Sequence, residues 1–131
     1  MPRVIHFEIH AGDPERAMAF YAGLFGWKFE KIAGPMEYWL INTGDVEQPG
    51  INGGLLRRMG PNPDPAAPTP VVGFVCTLDV ADVDRTVADA IKAGGTVALP
   101  KMAIPGLAWL AYLKDTESNI FGVYQADKNA K

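Results

Sequence analysis

Hydrophobic and polar residues alternate at the start of the chain, where residues 5 to 10 read IHFEIH. Successive side chains of a strand point to opposite faces, so Ile5, Phe7 and Ile9 are predicted to face a core. The opposite face of this strand then carries His6, Glu8 and His10. The first strand is therefore predicted to present three metal-binding or acid–base side chains on one face.

Two later stretches change from alternation to helical spacing, which predicts helices near residues 14–25 and 82–93. Asp13 and Asp82 are typical N-cap residues, and Pro14 suits the first helical position. Glycine follows both stretches, as is typical of a helix end. The predicted buried stripes are Ala17, Phe20, Tyr21 and Leu24 in the first helix, and Val83, Val87, Ala90 and Ile91 in the second.

The chain repeats this pattern at an offset of about 68 residues, with a strand, a capped helix and three further strands in each half. Trp39 corresponds to Trp109, and Gly54 corresponds to Gly122. The repeat predicts an α+β fold of two tandem βαβββ modules, residues 1–57 and 71–131, within one structural domain. Residues 58–70 carry five prolines in their last ten positions, which predicts an irregular, stiff linker. Curved mixed sheets with helices on one face leave the other face to enclose a cavity.

The composition of the 131 residues, 48% hydrophobic and 21% charged, is that of an ordinary globular protein. A net charge of −3 without a basic stripe argues against a nucleic-acid partner. No apolar run reaches the roughly 20 residues that span a bilayer, and no leader peptide is evident. The single cysteine, Cys76, fits the reducing cytoplasm. Its apolar surroundings, VVGFVCTLD, favour a small buried core residue over a nucleophile.

A metal site formed by the first strand alone is disfavoured by distance. Residues two apart on a strand are about 6.6 Å apart, so neighbouring ligands could chelate, whereas His6 and His10 are about 13 Å apart and cannot share an ion. The segment HFEIH is also not the helical HExxH motif. The preferred interpretation is a polar strip that faces a pocket.

The segments GDPERAMAFYAGLFGWKFE and KDTESNIFGVYQ, together with the repeat, resemble the vicinal oxygen chelate superfamily over nearly the whole chain. This superfamily includes glyoxalase I, the bleomycin- and fosfomycin-resistance proteins and the extradiol dioxygenases. The stretches FYAGLFGW and NIFGVYQ are most similar to predicted enzymes related to lactoylglutathione lyase.

The resemblance implies four metal-ligand positions, two in each module. They fall at His6, at Gly54 to within one residue, at Gly73 and at Gly122. Three of the four have no side chain, and catalytic zinc sites usually have three protein ligands. The sequence therefore predicts that the chain holds no superfamily metal and no other cofactor.

Alternation places Leu40 and Leu110 in the core, which sends the neighbouring tryptophans to the cavity. The residues predicted to bind a ligand there are His6, Glu8, Trp39, Asn52, Gly54, Gly73, Trp109, Gly122 and Tyr124. Tryptophan and tyrosine would offer flat apolar area, and glycine would leave room beside the backbone. The alternative, that both tryptophans are ordinary core residues, stays open.

Two functions of different kinds are consistent with this pattern. The first is a metal-free binding protein for a small, partly aromatic organic molecule, as in bleomycin resistance. The second is a lyase or isomerase that uses His6 and Glu8 as acid and base, with or without a metal. A homodimer is expected, because related two-module chains commonly pair.

Overall fold

The structure, a computed structural model, describes residues 1–68 and 71–131. The chain divides into two compact units: one is His6–Phe74, and the other combines Met1–Ile5 with Val75–Lys131. Within the predicted linker, residues 58–68 contain neither helix nor strand. Thr69 and Pro70, its last two residues, lie outside the described residues.

The unit His6–Phe74 has the predicted βαβββ order. Its elements are β1 (Val4–Ala11, of which residues 6–11 lie in this unit), α1 (Pro14–Phe25), β2 (Lys28–Ile32), β3 (Tyr38–Asn42) and β4 (Gly53–Arg57). The sheet order is β2-β3-β4-β1. Strands β1 and β4 are parallel, whereas β4 pairs with β3 and β3 with β2 in antiparallel fashion.

The other unit repeats the same order of elements. They are β5 (Val75–Asp79), α2 (Val83–Lys92), β6 (Thr96–Ile104), β7 (Ala108–Lys114) and β8 (Ile120–Ala126). The sheet order is β5-β8-β7-β6, with β5 and β8 parallel and the other pairs antiparallel. The predicted α+β fold of two βαβββ modules is confirmed.

Both predicted N-caps are confirmed by hydrogen bonds. The Asp13 carboxylate accepts the backbone N–H of Arg16 at 3.1 Å, and the Asp82 carboxylate accepts that of Arg85 at 3.0 Å. Each bond satisfies one of the amide groups that the first turn of a helix leaves without a partner. Gly26 ends α1 in the left-handed conformation with φ 73°, which glycine adopts without strain.

Each helix packs on the apolar face of its own sheet. The cluster beside α1 contains Phe7, Ile9, Ala11, Trp39, Ile41 and Leu55, with Ala17, Met18 and Tyr21 from the helix against it. The cluster beside α2 contains Val80, Val83, Ala111, Leu113 and Val123, with Val87 and Ala90 against it. The predicted stripes were too wide: Phe20, Leu24 and Ile91 are 59%, 60% and 54% exposed, because they lie at the flanks of their helices.

The prediction that Trp39 and Trp109 face away from the helices is wrong. Trp39 is buried in the core beside α1, and Trp109 packs against the core beside α2. Strand pairing decides this, because Trp39 lies opposite the buried Leu55, whereas Leu40 lies opposite Gly54 on the other face. A lysine covers each indole ring, Lys31 at 5.4 Å and Lys101 at 4.4 Å from the ring centre.

The prediction that Cys76 is a buried core residue is also wrong, because the side chain is exposed. Two residues further along β5, Leu78 packs against the core beside α2. The apolar cluster therefore covers only the later part of the strand.

No helix in the described part of the chain has the length and apolarity needed to cross a bilayer. The longer helix, α1, has 12 residues.

Removing either cap should destabilise the fold by a similar amount. Asp13→Ala and Asp82→Ala should each lower the free energy of unfolding by about 1 kcal/mol, because an amide of the first turn loses its acceptor. Urea denaturation measures this change. The control Glu15→Ala removes a neighbouring acid but leaves the cap in place, so it should cost clearly less; equal losses would contradict the capping role.

Candidate functional site

A buried carboxylate lies at the middle of β1. Glu8 is only 6% exposed, one of the two buried polar or charged side chains among the described residues. Removing a carboxylate from water is costly unless hydrogen bonds replace the lost hydration. Burial of Glu8 therefore requires hydrogen-bond donors on the polar face of β1.

The hydroxyl group of Tyr38, the first residue of β3, supplies such a donor. It donates to Glu8 Oε2 at 2.9 Å, and it lies 2.8 Å from Nε2 of His6. The three side chains thus form one hydrogen-bonded network, with the phenol between the carboxylate and the imidazole.

The direction of these bonds fixes the tautomer of neutral His6. A phenol has one proton, and the proton of Tyr38 is donated to Glu8. The Tyr38 oxygen must therefore accept from Nε2–H of His6, so the proton of the neutral ring is on Nε2. Nδ1 then carries a lone pair, and it has no hydrogen-bond partner among the described residues. The arrangement holds an imidazole as a base with its free nitrogen available.

Burial keeps this imidazole neutral. Desolvation lowers the pKa of His6 below its ordinary value of 6.5, and the negative charge of Glu8 offsets part of that shift. At neutral pH the ring is therefore an uncharged proton acceptor.

His10 lies on the same face of β1, two residues beyond Glu8. Burial lowers its pKa as well; Glu8 raises it in part, and the guanidinium group of Arg58 lowers it further. The positive charge of Arg58 thus lowers the pKa of His10 but not that of His6.

The space over Gly54 is not the predicted hollow. A Cβ atom placed on Gly54 would collide with the Tyr38 ring and hydroxyl. Leu40 lies directly opposite Gly54, and Tyr38 lies two pairs along the ladder on the same face, so its ring leans diagonally across the glycine. Glycine at position 54 therefore makes room for the tyrosine that joins His6 to Glu8.

A similar crowding occurs at Gly122 in the other unit, so no hollow exists there either. A Cβ atom on Gly122 would lie 2.8 Å from Thr77 Oγ1 and 3.4 Å from the Tyr112 ring. Thr77 is buried, and its hydroxyl has no hydrogen-bond partner among the described residues. Gly122 pairs with Thr77 as Gly54 pairs with Glu8, so the buried threonine occupies the position of the buried glutamate.

The same register corrects the position assigned to Gly73. If Thr77 corresponds to Glu8, the residue that corresponds to His6 is Val75, the first residue of β5. Gly73 precedes the strand in irregular chain and is exposed. Tyr124 lies two residues beyond Gly122 in β8 and is half-buried, opposite Leu110.

Asn52 organises a loop. Its side-chain oxygen accepts the backbone N–H of Thr43 at 2.9 Å and lies 3.3 Å from the Thr43 hydroxyl. It lies just before β4 and is exposed. These bonds join the two ends of the β3–β4 connection. Asn52 therefore has a structural role that requires no ligand.

The donors present do not fit the superfamily metal. The four corresponding positions are His6, Gly54, Val75 and Gly122, and only the first has a ligand atom. Nε2 of that histidine is hydrogen-bonded to Tyr38. No group of three His, Cys, Asp or Glu residues within the described ranges could hold an ion. Absence of a metal remains a prediction, and no step of the proposed chemistry depends on one.

Tyr38 is the site residue that the sequence did not reveal. It belongs to the segment EYWL, where the adjacent tryptophan is the more conspicuous residue. The usable signal is the parity of β3: once Trp39 is assigned to the core, Tyr38 must share a face with Gly54.

Comparisons with known proteins agree with this fold. Residues 3–116 match the profile of the Glyoxalase/Bleomycin resistance protein/Dioxygenase superfamily. A methylmalonyl-CoA epimerase in complex with methylmalonyl-CoA and NH4+ is similar with a TM-score of 0.64 and 16% identity, over 100% of this chain and 99% of that chain.

Two further solved structures are similar over almost their whole length. A superfamily member from Vibrio splendidus 12B01 has a TM-score of 0.58 and 15% identity, covering 97% of this chain and 100% of that chain. A hypothetical protein from Bacillus halodurans C-125 has a TM-score of 0.61 and 14% identity, covering 99% and 98%. Identities this low show the fold alone. A search of curated protein sequences finds no match.

Substitution of Gly54 should disturb the site through Tyr38. Gly54→Ala should lower the free energy of unfolding by about 2 kcal/mol, because the ring must leave and Glu8 loses a hydrogen bond. In a Tyr38→Ala background the same substitution should cost less than about 1 kcal/mol, a coupling measured by a double-mutant cycle. The control is Gly23→Ala in α1, where no atom lies within 4 Å of the new methyl group. That change should be neutral or stabilising; additive effects at positions 38 and 54 would contradict the contact.

The two histidines should titrate below their ordinary pKa, as measured by NMR of the imidazole protons. Glu8→Gln should lower both pKa values further, because each histidine loses a stabilising negative charge. Arg58→Gln should raise the pKa of His10 and leave that of His6 unchanged. Protonated histidine is favoured in the unfolded chain, so stability should fall as the pH decreases from 6.5 towards the folded-state pKa values. A His6 pKa above 6.5 would contradict the assignment.

Proposed function

Because the chain belongs to the glyoxalase/bleomycin resistance protein/dioxygenase superfamily, we propose that it binds a small organic carbonyl compound beside His6 and moves a proton on it. The observation that carries this proposal is the direction of the hydrogen bonds from His6 through Tyr38 to Glu8. They leave Nδ1 of a neutral imidazole as the one uncommitted basic atom of the network. The acid–base alternative considered from the sequence is thus better supported than ligand binding alone.

The proposed reaction is an isomerisation by proton transfer. Nδ1 of His6 accepts a proton from a carbon next to a carbonyl group, and the ring becomes an imidazolium ion. Tyr38 and Glu8 stabilise that ion, because Nε2–H donates to the phenol oxygen and the phenol donates to the carboxylate. The imidazolium then returns the proton to the same face of the substrate, at its new position.

The chemistry of the site limits the substrate class. No cationic or metal group of the network stabilises an enolate, so the substrate must have an acidic C–H bond of its own. A carbon between two carbonyl groups meets this requirement. Methylmalonyl-CoA, the compound bound in one structural neighbour, has such a carbon and is a suitable first probe. We also propose that, within the superfamily, the chain is related to lactoylglutathione-lyase-like enzymes.

A second candidate is a binding protein without turnover. The Tyr38 ring fills the space over Gly54, which supports a rigid polar surface in place of a reactive hollow. A small organic molecule would then accept or donate hydrogen bonds at the rim of the network. The predicted homodimer also stays a prediction, because nothing in a single chain tests it.

Exchange of the acidic C–H proton in heavy water separates the two candidates. The purified protein should catalyse exchange of the α-proton of methylmalonyl-CoA, or of a simple 1,3-dicarbonyl thioester, for deuterium. The exchange is followed by NMR. His6→Asn should slow exchange by a factor of about 100 or more, the usual contribution of a general base. Tyr38→Phe should slow it by roughly tenfold, because the imidazolium ion loses the phenol as an acceptor.

The matched control is His10→Asn, a histidine on the same strand face, two residues beyond Glu8, that is not the assigned base. This variant should keep most of the exchange rate. Binding of the probe without exchange would favour the second candidate, and equal losses in both histidine variants would contradict the assigned base.

A further inference from the structure

A groove of about 570 Å³ lies in the unit His6–Phe74, beside the start of α1. Its walls are the end of β1, the first two turns of α1 and the segment that follows β4. His6, Glu8 and Tyr38 are not among the residues that line it. The groove is therefore separate from the acid–base network, and the function proposed above does not use it.

Hydrogen bonds fasten the walls of the groove to each other. The side-chain oxygen of Asn62 accepts the backbone N–H of Gly12 at 3.1 Å and Nε of Arg58 at 3.0 Å. Nη2 of Arg58 donates to the carbonyl oxygen of His10 at 2.8 Å. The segment after β4 is thus tied to the start of α1, so the groove is formed before any ligand arrives.

The groove carries an excess of positive charge. Two arginines, Arg16 and Arg58, are among the residues that line it, against a single acidic residue, Asp13. Asp13 accepts the backbone N–H of Arg16 as the helix cap. Within the described residues, the Arg16 guanidinium has no ion pair, and Nη1 of Arg58 has no hydrogen bond. In a chain of net charge −3, two uncommitted donors in one groove favour an anion.

The same groove has an apolar wall beside these cations. Phe20 is 59% exposed, although it belongs to a helix whose inner face is covered. Tyr21 meets it edge to face with 5.1 Å between ring centres. The buried side chains of Ile9 and Ala11 close the groove below. Flat apolar area next to guanidinium groups is typical of sites that bind organic anions.

We propose that this groove binds a flat, apolar carboxylate. The ring of the ligand packs against Phe20 and Tyr21, and its carboxylate pairs with the guanidinium groups of Arg16 and Arg58. The volume lies within the range of small-molecule sites. An anion is the occupant because, among the described residues, the Arg16 guanidinium has no ion pair and Nη1 of Arg58 remains after its Nε and Nη2 have bonded to Asn62 and His10. An aromatic body is the occupant because Phe20 is largely exposed beside these groups.

The test uses 2-naphthoate as the probe and amide NMR spectra of isotopically labelled protein as the readout. Binding should be saturable and should shift the amides of the non-proline residues within 9–17 and 58–64. The neutral analogue 2-naphthalenemethanol should bind at least roughly tenfold more weakly, because a charge-assisted hydrogen bond is lost. Arg16→Gln should weaken 2-naphthoate by a similar factor, and Phe20→Ala should weaken both compounds.

The chain supplies a matched control for Arg16. Arg85 occupies the same position of α2, three residues after its cap, and is also exposed. Arg85→Gln should leave binding unchanged. The variant His6→Asn should also bind 2-naphthoate normally; loss of binding there would mean that the probe reports the acid–base network, and would overturn the groove as its site. Equal affinity for the neutral analogue, or no change in Arg16→Gln, would also overturn the proposal.

Discussion

The polar face of the unit His6–Phe74 depends on one constraint, the cost of burying the Glu8 carboxylate. A carboxylate removed from water needs hydrogen-bond donors, and the Tyr38 hydroxyl is one of them. The position of that hydroxyl requires the ring to cross Gly54, where no side chain could remain. The same hydroxyl fixes which nitrogen of His6 carries the proton. One buried charge therefore determines a backbone requirement, a tautomer and the candidate base.

The two repeats solve this constraint differently. The position of Glu8 is taken by Thr77 in the second repeat, and the position of His6 by Val75. The glycine of the last strand persists in both, and an aromatic ring lies close to it in both. The framework of the repeat is thus retained, whereas His6 and Glu8 have no ionisable counterparts in the second copy.

Sequence reasoning succeeded where a local rule acts alone. The two aspartate caps, the helix bounds and the order of elements follow from capping and periodicity, which need no knowledge of neighbouring strands. It failed in β3, where apolar residues occupy both faces of the strand. Leu40 and Trp39 are both apolar, so alternation allowed either in the core, and only pairing with Leu55 or Gly54 decided between them.

The site shows the same division. His6 and Glu8 were identifiable because three ionisable residues alternate on one strand, but Tyr38 was not, since its role depends on a neighbour across the sheet. The ligand position assigned to Gly73 falls two residues later, at Val75. The apolar run before Thr77 does not show which residue corresponds to His6, and only the pairing of β5 with β8 gives the register. Likewise, glycines that suggested empty space proved to be covered by side chains from other strands.

The exposed thiol of Cys76 has a practical consequence for any study of assembly. It is the only cysteine of the chain, and it lies at the surface of a single copy. An unpaired exposed thiol can link two copies through a disulfide when the protein is handled in air. Such a covalent pair has the mass of a homodimer without its interface. Measurements of oligomeric state therefore require a reductant or alkylated protein, and the same thiol offers a single attachment point for a spectroscopic label.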